Sequence, residues 1–113
     1  MKPVVWIGSS LREFKGFPEL VRSEMGYALY IAQCGKRHRK TKTLKGFKGS
    51  GVIEIIDIFE GNAFRTVYTV EFKSAIYVLH AFQKKSKSGI ATPQLDKSLI
   101  ELRLNAAKQI EEN

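Results

Sequence analysis

The chain has a single cysteine, three prolines and, over two long stretches, no acidic residue at all. Each scarcity excludes something. Cys34 alone can neither close an intramolecular disulfide nor, without companions, build a zinc site. A reduced cytoplasmic setting with no metal or cofactor is therefore the expectation. No apolar run approaches the roughly 20 residues that cross a bilayer, and the first residues lack the charged, apolar and small-residue order of a secretory leader. Phosphate-cradling glycine motifs, metal-ligand clusters and paired acidic dyads do not occur.

The missing acids are the most informative gap. Residues 25–53 contain seven Lys/Arg and residues 72–95 four more, with no Asp or Glu in either stretch. The other eight cations face all eleven acids, so the net charge of +8 comes from two segments on a slightly acidic chain. Such focusing points to a local site for a polyanion, nucleic acid above all. The plain alternative is a basic, solvated surface.

What is present fits one globular domain: 113 residues, 43% of them hydrophobic, with twelve aromatics. Residues 2–7 read as a strand that Gly8 stops. Ser10 and Glu13 have capping-box spacing, which predicts a short helix over 11–15. Pro18 and Gly35 bracket a helix over 18–34, whose apolar positions Leu20, Val21, Met25, Ala28, Leu29 and Ala32 recur at helical spacing. Tyr27, Tyr30 and Ile31 widen that stripe and predict packing on more than one side. Residues 36–51, basic and glycine-punctuated, read as a long connection pinned by Leu44 and Phe47.

Three strands follow, over 52–59, 64–72 and 75–83, joined by the turns Glu60-Gly61-Asn62 and Lys73-Ser74, an antiparallel meander. Thr92-Pro93 opens a last helix. Along it Leu95, Leu99, Leu102, Ala106 and Ile110 form an apolar stripe. The β-α-α-β-β-β-α order predicts an α+β fold, a small antiparallel sheet with helices packed on one face.

Strand alternation sorts the candidate chemistry. Phe64, Thr66, Tyr68, Val70 and Phe72 form the larger apolar face. Arg65 lies on the mixed side with Val67, Thr69 and Glu71 and is expected at an accessible rim, where its guanidinium can grip a phosphate bidentately. The alternative role is an ion pair with Glu54, Asp57 or Glu71. His80, among Ile76, Val78 and Phe82, is a candidate for proton transfer or a structural histidine. Lys84, Lys85 and Lys87 follow at once and suit phosphates or a developing dianion. The basic segment, with Arg37, His38, Arg39, Lys40, Lys42 and Lys45, favours backbone contacts over base reading. Cys34 is expected to be a buried helix-end residue.

Three segments carry a resemblance: LKGFKGSGVIEI (44–55), FRTVYT (64–69) and YVLHAFQKKSKSGIATP (77–93). They resemble the phage-derived Gp49-like branch of the RelE/HigB-type toxins, and the element order is similar to that RelE/ParE-like superfamily over nearly the whole chain. The resemblance implies the toxin of a type II toxin–antitoxin pair, an endoribonuclease that cuts mRNA at the ribosome by metal-free attack of the ribose 2′-hydroxyl. It implies a helix-turn-helix antitoxin as partner. Carried onto this sequence, Arg65, Lys84 and Lys85 would stabilise the phosphorane and His80 or a lysine would move protons. Arg39, Lys42, Lys45, Lys48 and Lys87 would hold RNA. Several relatives have a tyrosine just after the lysine cluster, and this chain has none, which leaves the acid/base group open. The competing readings are a non-enzymatic, ParE-type poison of DNA gyrase and a non-toxic phage-derived nucleic-acid-binding protein.

Overall fold

The computed structural model describes residues 1–47, 49, 51–84 and 92–113. Five strands form one sheet in the order β1-β5-β4-β3-β2: β1 (Val4–Trp6), β2 (Thr41–Thr43), β3 (Val52–Phe59), β4 (Asn62–Thr69) and β5 (Ile76–Lys84). β3, β4 and β5 make the expected antiparallel meander. β1 runs parallel to β5, so the sheet is mixed. β2, inside the supposed connection, pairs antiparallel with β3. Three residues with two β-branched threonines suffice for that edge strand, too short a signal to stand out from the basic run.

The helices are α1 (Ser10–Lys15), α2 (Glu19–Gln33) and α3 (Gln94–Glu112). They do not share one face. α2 buries Val21, Met25, Ala28, Leu29 and Ala32 against Ile53, Ile55, Phe64, Tyr68, Ile76 and Val78. α3 buries Ile100, Leu104 and Ala107 against Val52, Val67, Tyr77 and Leu79 on the opposite face. This corrects the one-faced expectation: because strands alternate, a sheet with apolar residues on both sides needs a cover on each. Tyr27 and Tyr30, expected to be packed, are 56% and 47% exposed, and Cys34 is exposed as well.

β1 is short, and α1 takes over the edge of β5 where it stops. Ile7 N–H and the Ser10 hydroxyl both donate to the Val78 carbonyl, at 2.9 and 3.2 Å. Further along, the register between β4 and β5 slips, with Val67 opposite His80 but Tyr68 opposite Val78. This bulge puts Leu79 and His80 on the side that α3 covers.

At the start of β3, Gly51 has φ +54° and its carbonyl accepts from Val70 N–H at 3.0 Å. A Cβ there would meet Val70 Cγ2 at 3.2 Å and Glu71 N at 3.3 Å. Gly51→Ala is therefore expected to lower stability by about 1–2 kcal/mol, read as a lower urea midpoint with an unchanged slope.

Candidate functional site

On the α3 side of the sheet, alternation lines up Lys42 of β2, Glu54 of β3, Arg65 of β4 and His80, Phe82 and Lys84 of β5. Four of the residues expected from sequence, Lys42, Arg65, His80 and Lys84, thus share one face. Arg65 is directly opposite Phe82, and Lys84 follows two residues later, on the same side.

Arg65 is not at a rim. It is 3% exposed, and its Nη1 donates to Glu54 Oε1 at 3.1 Å. Glu54 itself is fully buried. Thr92 donates to Glu54 Oε2 at 3.1 Å, and Lys42 Nζ lies 3.8 Å from Oε1. At this part of the mixed strand face Thr92, two residues before α3, reaches in to Glu54. The acid on β3 then becomes the natural counter-ion, one of the three alternatives the sequence offered.

His80 is 5% exposed and lies between two carboxylates. Its Nδ1 is 3.1 Å from Glu13 Oε1 and its Nε2 2.7 Å from Asp96 Oδ1, while its ring stacks on Phe82 at 4.8 Å between centroids. Arg103 closes the cluster: Nη1 donates to Glu13 Oε1 at 2.9 Å and to the Leu79 carbonyl at 3.0 Å, and Nη2 to Ser9 Oγ at 2.9 Å. Glu13 Oε1 also accepts from Ala81 N–H at 3.2 Å. The carboxylate of α1 and the guanidinium of α3 thereby satisfy the backbone groups that the bulge leaves open.

Glu13, Asp96 and Arg103 were not anticipated as site residues. Ser-x-x-Glu spacing suggested a local helix cap for Glu13, and a charged residue at position 103 interrupts an apolar arc without advertising burial. Burial alone would raise the Glu13 carboxyl, but hydrogen bonds from Arg103 and Ala81 N–H and the charges of His80 and Arg103 outweigh it. The result is a pKa lowered from 4.5 to about 2. The unfolded chain takes up this proton near pH 4.5 and the folded one only near 2, so the stabilisation is complete above the first value and is lost as pH falls towards the second. Glu13→Gln should be less stable than the parent at neutral pH, with the gap closing between pH 4.5 and 2, as followed by thermal unfolding across that range.

The basic segment is less open than its sequence suggested. Lys40 pairs with Asp57 at 3.0 Å and Glu24 at 3.5 Å, and the hydrogen bond to Asp57, above all, raises its pKa. His38 meets Glu24 at 3.1 Å, and Arg37 donates to the Thr41 hydroxyl at 3.0 Å. Arg39 and Lys45 are exposed. The acids come from neighbouring elements, which a census along the chain does not register. Lys48, Lys85 and Lys87 lie outside the described residues. Two surface hollows, of about 440 Å³ beside Glu24, Lys40 and Asp57 and about 360 Å³ beside Lys2, Lys36, Arg37 and Tyr68, do not include Arg65, His80 or Lys84. Burial pushes the Tyr68 phenol in the smaller one up to about 12. Among the described residues no helix is long and apolar enough to cross a membrane.

Comparison with known proteins adds one match. The family model described as "Phage derived protein Gp49-like (DUF891)" matches residues 12–109. No curated protein and no solved structure is matched by the chain. The matched span contains α2, α1 from its third residue, all of the sheet but β1, and α3 to its last turn.

Proposed function

From the premise that the chain belongs to the phage-derived Gp49-like family, which is associated with toxin–antitoxin systems and points to an antitoxin partner, we propose that it is the toxin and that it cleaves mRNA on the ribosome. The observation that carries this reading is the shared face: Lys42, Arg65, His80 and Lys84 come from three strands to one side of the sheet.

In the reaction, the ribose 2′-oxygen attacks the adjacent phosphorus and loses its proton. The bond from phosphorus to the 5′-oxygen breaks, and that oxygen gains a proton. The products are a 2′,3′-cyclic phosphate and a 5′-hydroxyl. Lys84 and Lys85 stabilise the pentavalent phosphorus, whose extra negative charge is the feature a fixed cation favours over the ground state. Arg65, clamped on buried Glu54, is not the exposed ligand; through that ion pair it orders the sheet face that carries Lys42 and Lys84. His80, held by Glu13 and Asp96, fixes the strand that carries Lys84. Arg39, Lys42, Lys45, Lys48 and Lys87 track the RNA backbone.

The chemistry is testable by its ends. Purified chain, added to ribosomes programmed with a defined message, should leave 2′,3′-cyclic phosphate and 5′-hydroxyl termini. Fragments ending in a 3′-hydroxyl and a 5′-phosphate would refute 2′-hydroxyl attack.

A further inference from the structure

The apolar stripe that the sequence reserves for α3's buried side faces solvent. Leu95, Leu102 and Ile110 are 87%, 66% and 49% exposed, Ala106 is exposed and Leu99 half-buried. The face that packs on the sheet is the adjoining arc of Ile100, Arg103, Leu104 and Ala107. Leu95, Leu99, Leu102 and Ala106 are spaced by four, three and four, the interval of a coiled-coil seam. With Ile110 the seam runs for about 22 Å of helix. The positions next to it on the outer flank, Ser98, Asn105 and Gln109, are uncharged, and Glu101 and Glu112 lie beyond them.

α3 cannot roll to hide these leucines. Arg103 is bound to Glu13, Ser9 and the Leu79 carbonyl, Asp96 to His80, and Glu111 receives the Tyr77 hydroxyl at 2.5 Å. Turning the helix by one residue would withdraw Arg103 and break all of these.

We propose that this seam is where the antitoxin docks, by an amphipathic helix with apolar residues at heptad spacing and an acidic extension. The inference rests on the toxin reading above. The seam's period calls for a helix. The chain's +8 charge favours an acidic partner over a second copy, which would bring another +8. The Leu95 end of the seam also adjoins the cationic face, since Thr92 reaches Glu54 and Asp96 reaches His80. A partner helix that continues past Leu95 therefore arrives over Lys42 and Lys84, where acidic side chains would exclude RNA. Docking and inhibition are then done by one continuous segment.

The test uses the purified product of the reading frame adjoining this gene as probe, with Leu102→Glu and Leu95→Glu/Leu102→Glu variants of the full chain. Both sites are exposed, so unfolding temperatures should match the parent. Binding should fall at least hundredfold in the double variant. In cells, parent and variant should both arrest growth, and co-expression of the probe should rescue only the parent. Undiminished binding and rescue of the double variant would overturn the inference. So would a parent chain that is dimeric by light scattering and becomes monomeric with Leu102→Glu, because the seam would then belong to a second copy. A parent that binds through the seam without arresting growth would instead refute the toxin reading alone.

Discussion

Arg65→Ala is expected to cost about 3–5 kcal/mol, enough to leave much of the chain unfolded at 37 °C. The reason is Glu54 rather than lost contact area. Its carboxylate is fully buried and faces the Arg65 guanidinium at 3.1 Å, while the nearby Lys42 Nζ stays at 3.8 Å with a side chain 43% exposed. Removing the arginine strands a charge in the interior. Removing both charges does not, so Glu54→Leu/Arg65→Met should recover most of the loss in chemical denaturation. The pair of variants also separates structure from chemistry. The refolded double variant should still cleave RNA more slowly than the parent, because the guanidinium that the proposed mechanism uses is gone although the net charge of the pair is unchanged. A double variant that is both stable and fully active would remove Arg65 from the proposed mechanism.

The second large effect is on rate. Lys84→Ala should lower cleavage about 10²-fold, the usual scale for deleting one group that stabilises developing charge. Lys84 is at the end of β5 and half-buried, so its backbone stays paired with Ala63 whatever its side chain. The loss should appear in single-turnover rate rather than in ribosome affinity. Lys84→Arg should restore part of it, whereas an equal loss in both variants would point to a role other than charge.

Much of the fold was legible in the sequence because alternation and turn chemistry are local. The strands over 52–59, 64–72 and 75–83 and the break at Gly61 needed no knowledge of neighbours, and the two-residue period alone put Arg65 and Val67 on one side. What the sequence could not tell was which acid would meet which cation, since Glu24 of α2 and Glu54 and Asp57 of β3 reach the basic segment through space and not along the chain. It also misdirected α3. Two apolar arcs adjoin on that helix, and the one with more leucines faces outward, because Arg103 in the other is claimed by Glu13 and the bulge in β5. A periodicity argument ranks arcs by hydrophobicity and has no means to weigh a buried ion pair.

The bulge explains the third surprise, His80. Read as a strand residue, it alternates with Ile76 and Val78 under α2. The slipped register moves it to the α3 side, between Glu13 and Asp96. His80, which the sequence offered as a proton carrier or a structural histidine, is held at both ring nitrogens, and the proposed mechanism rests its charge stabilisation on the lysines that follow it.

The central claim is that this cationic face cuts message. Primer extension on transcripts from cells induced for the chain, run beside a gyrase supercoiling assay with the purified protein, tests it most directly. Discrete breaks within translated regions, about 10²-fold weaker for Lys84→Ala, with supercoiling unaffected, are the predicted result. Intact transcripts with supercoiling blocked would contradict it.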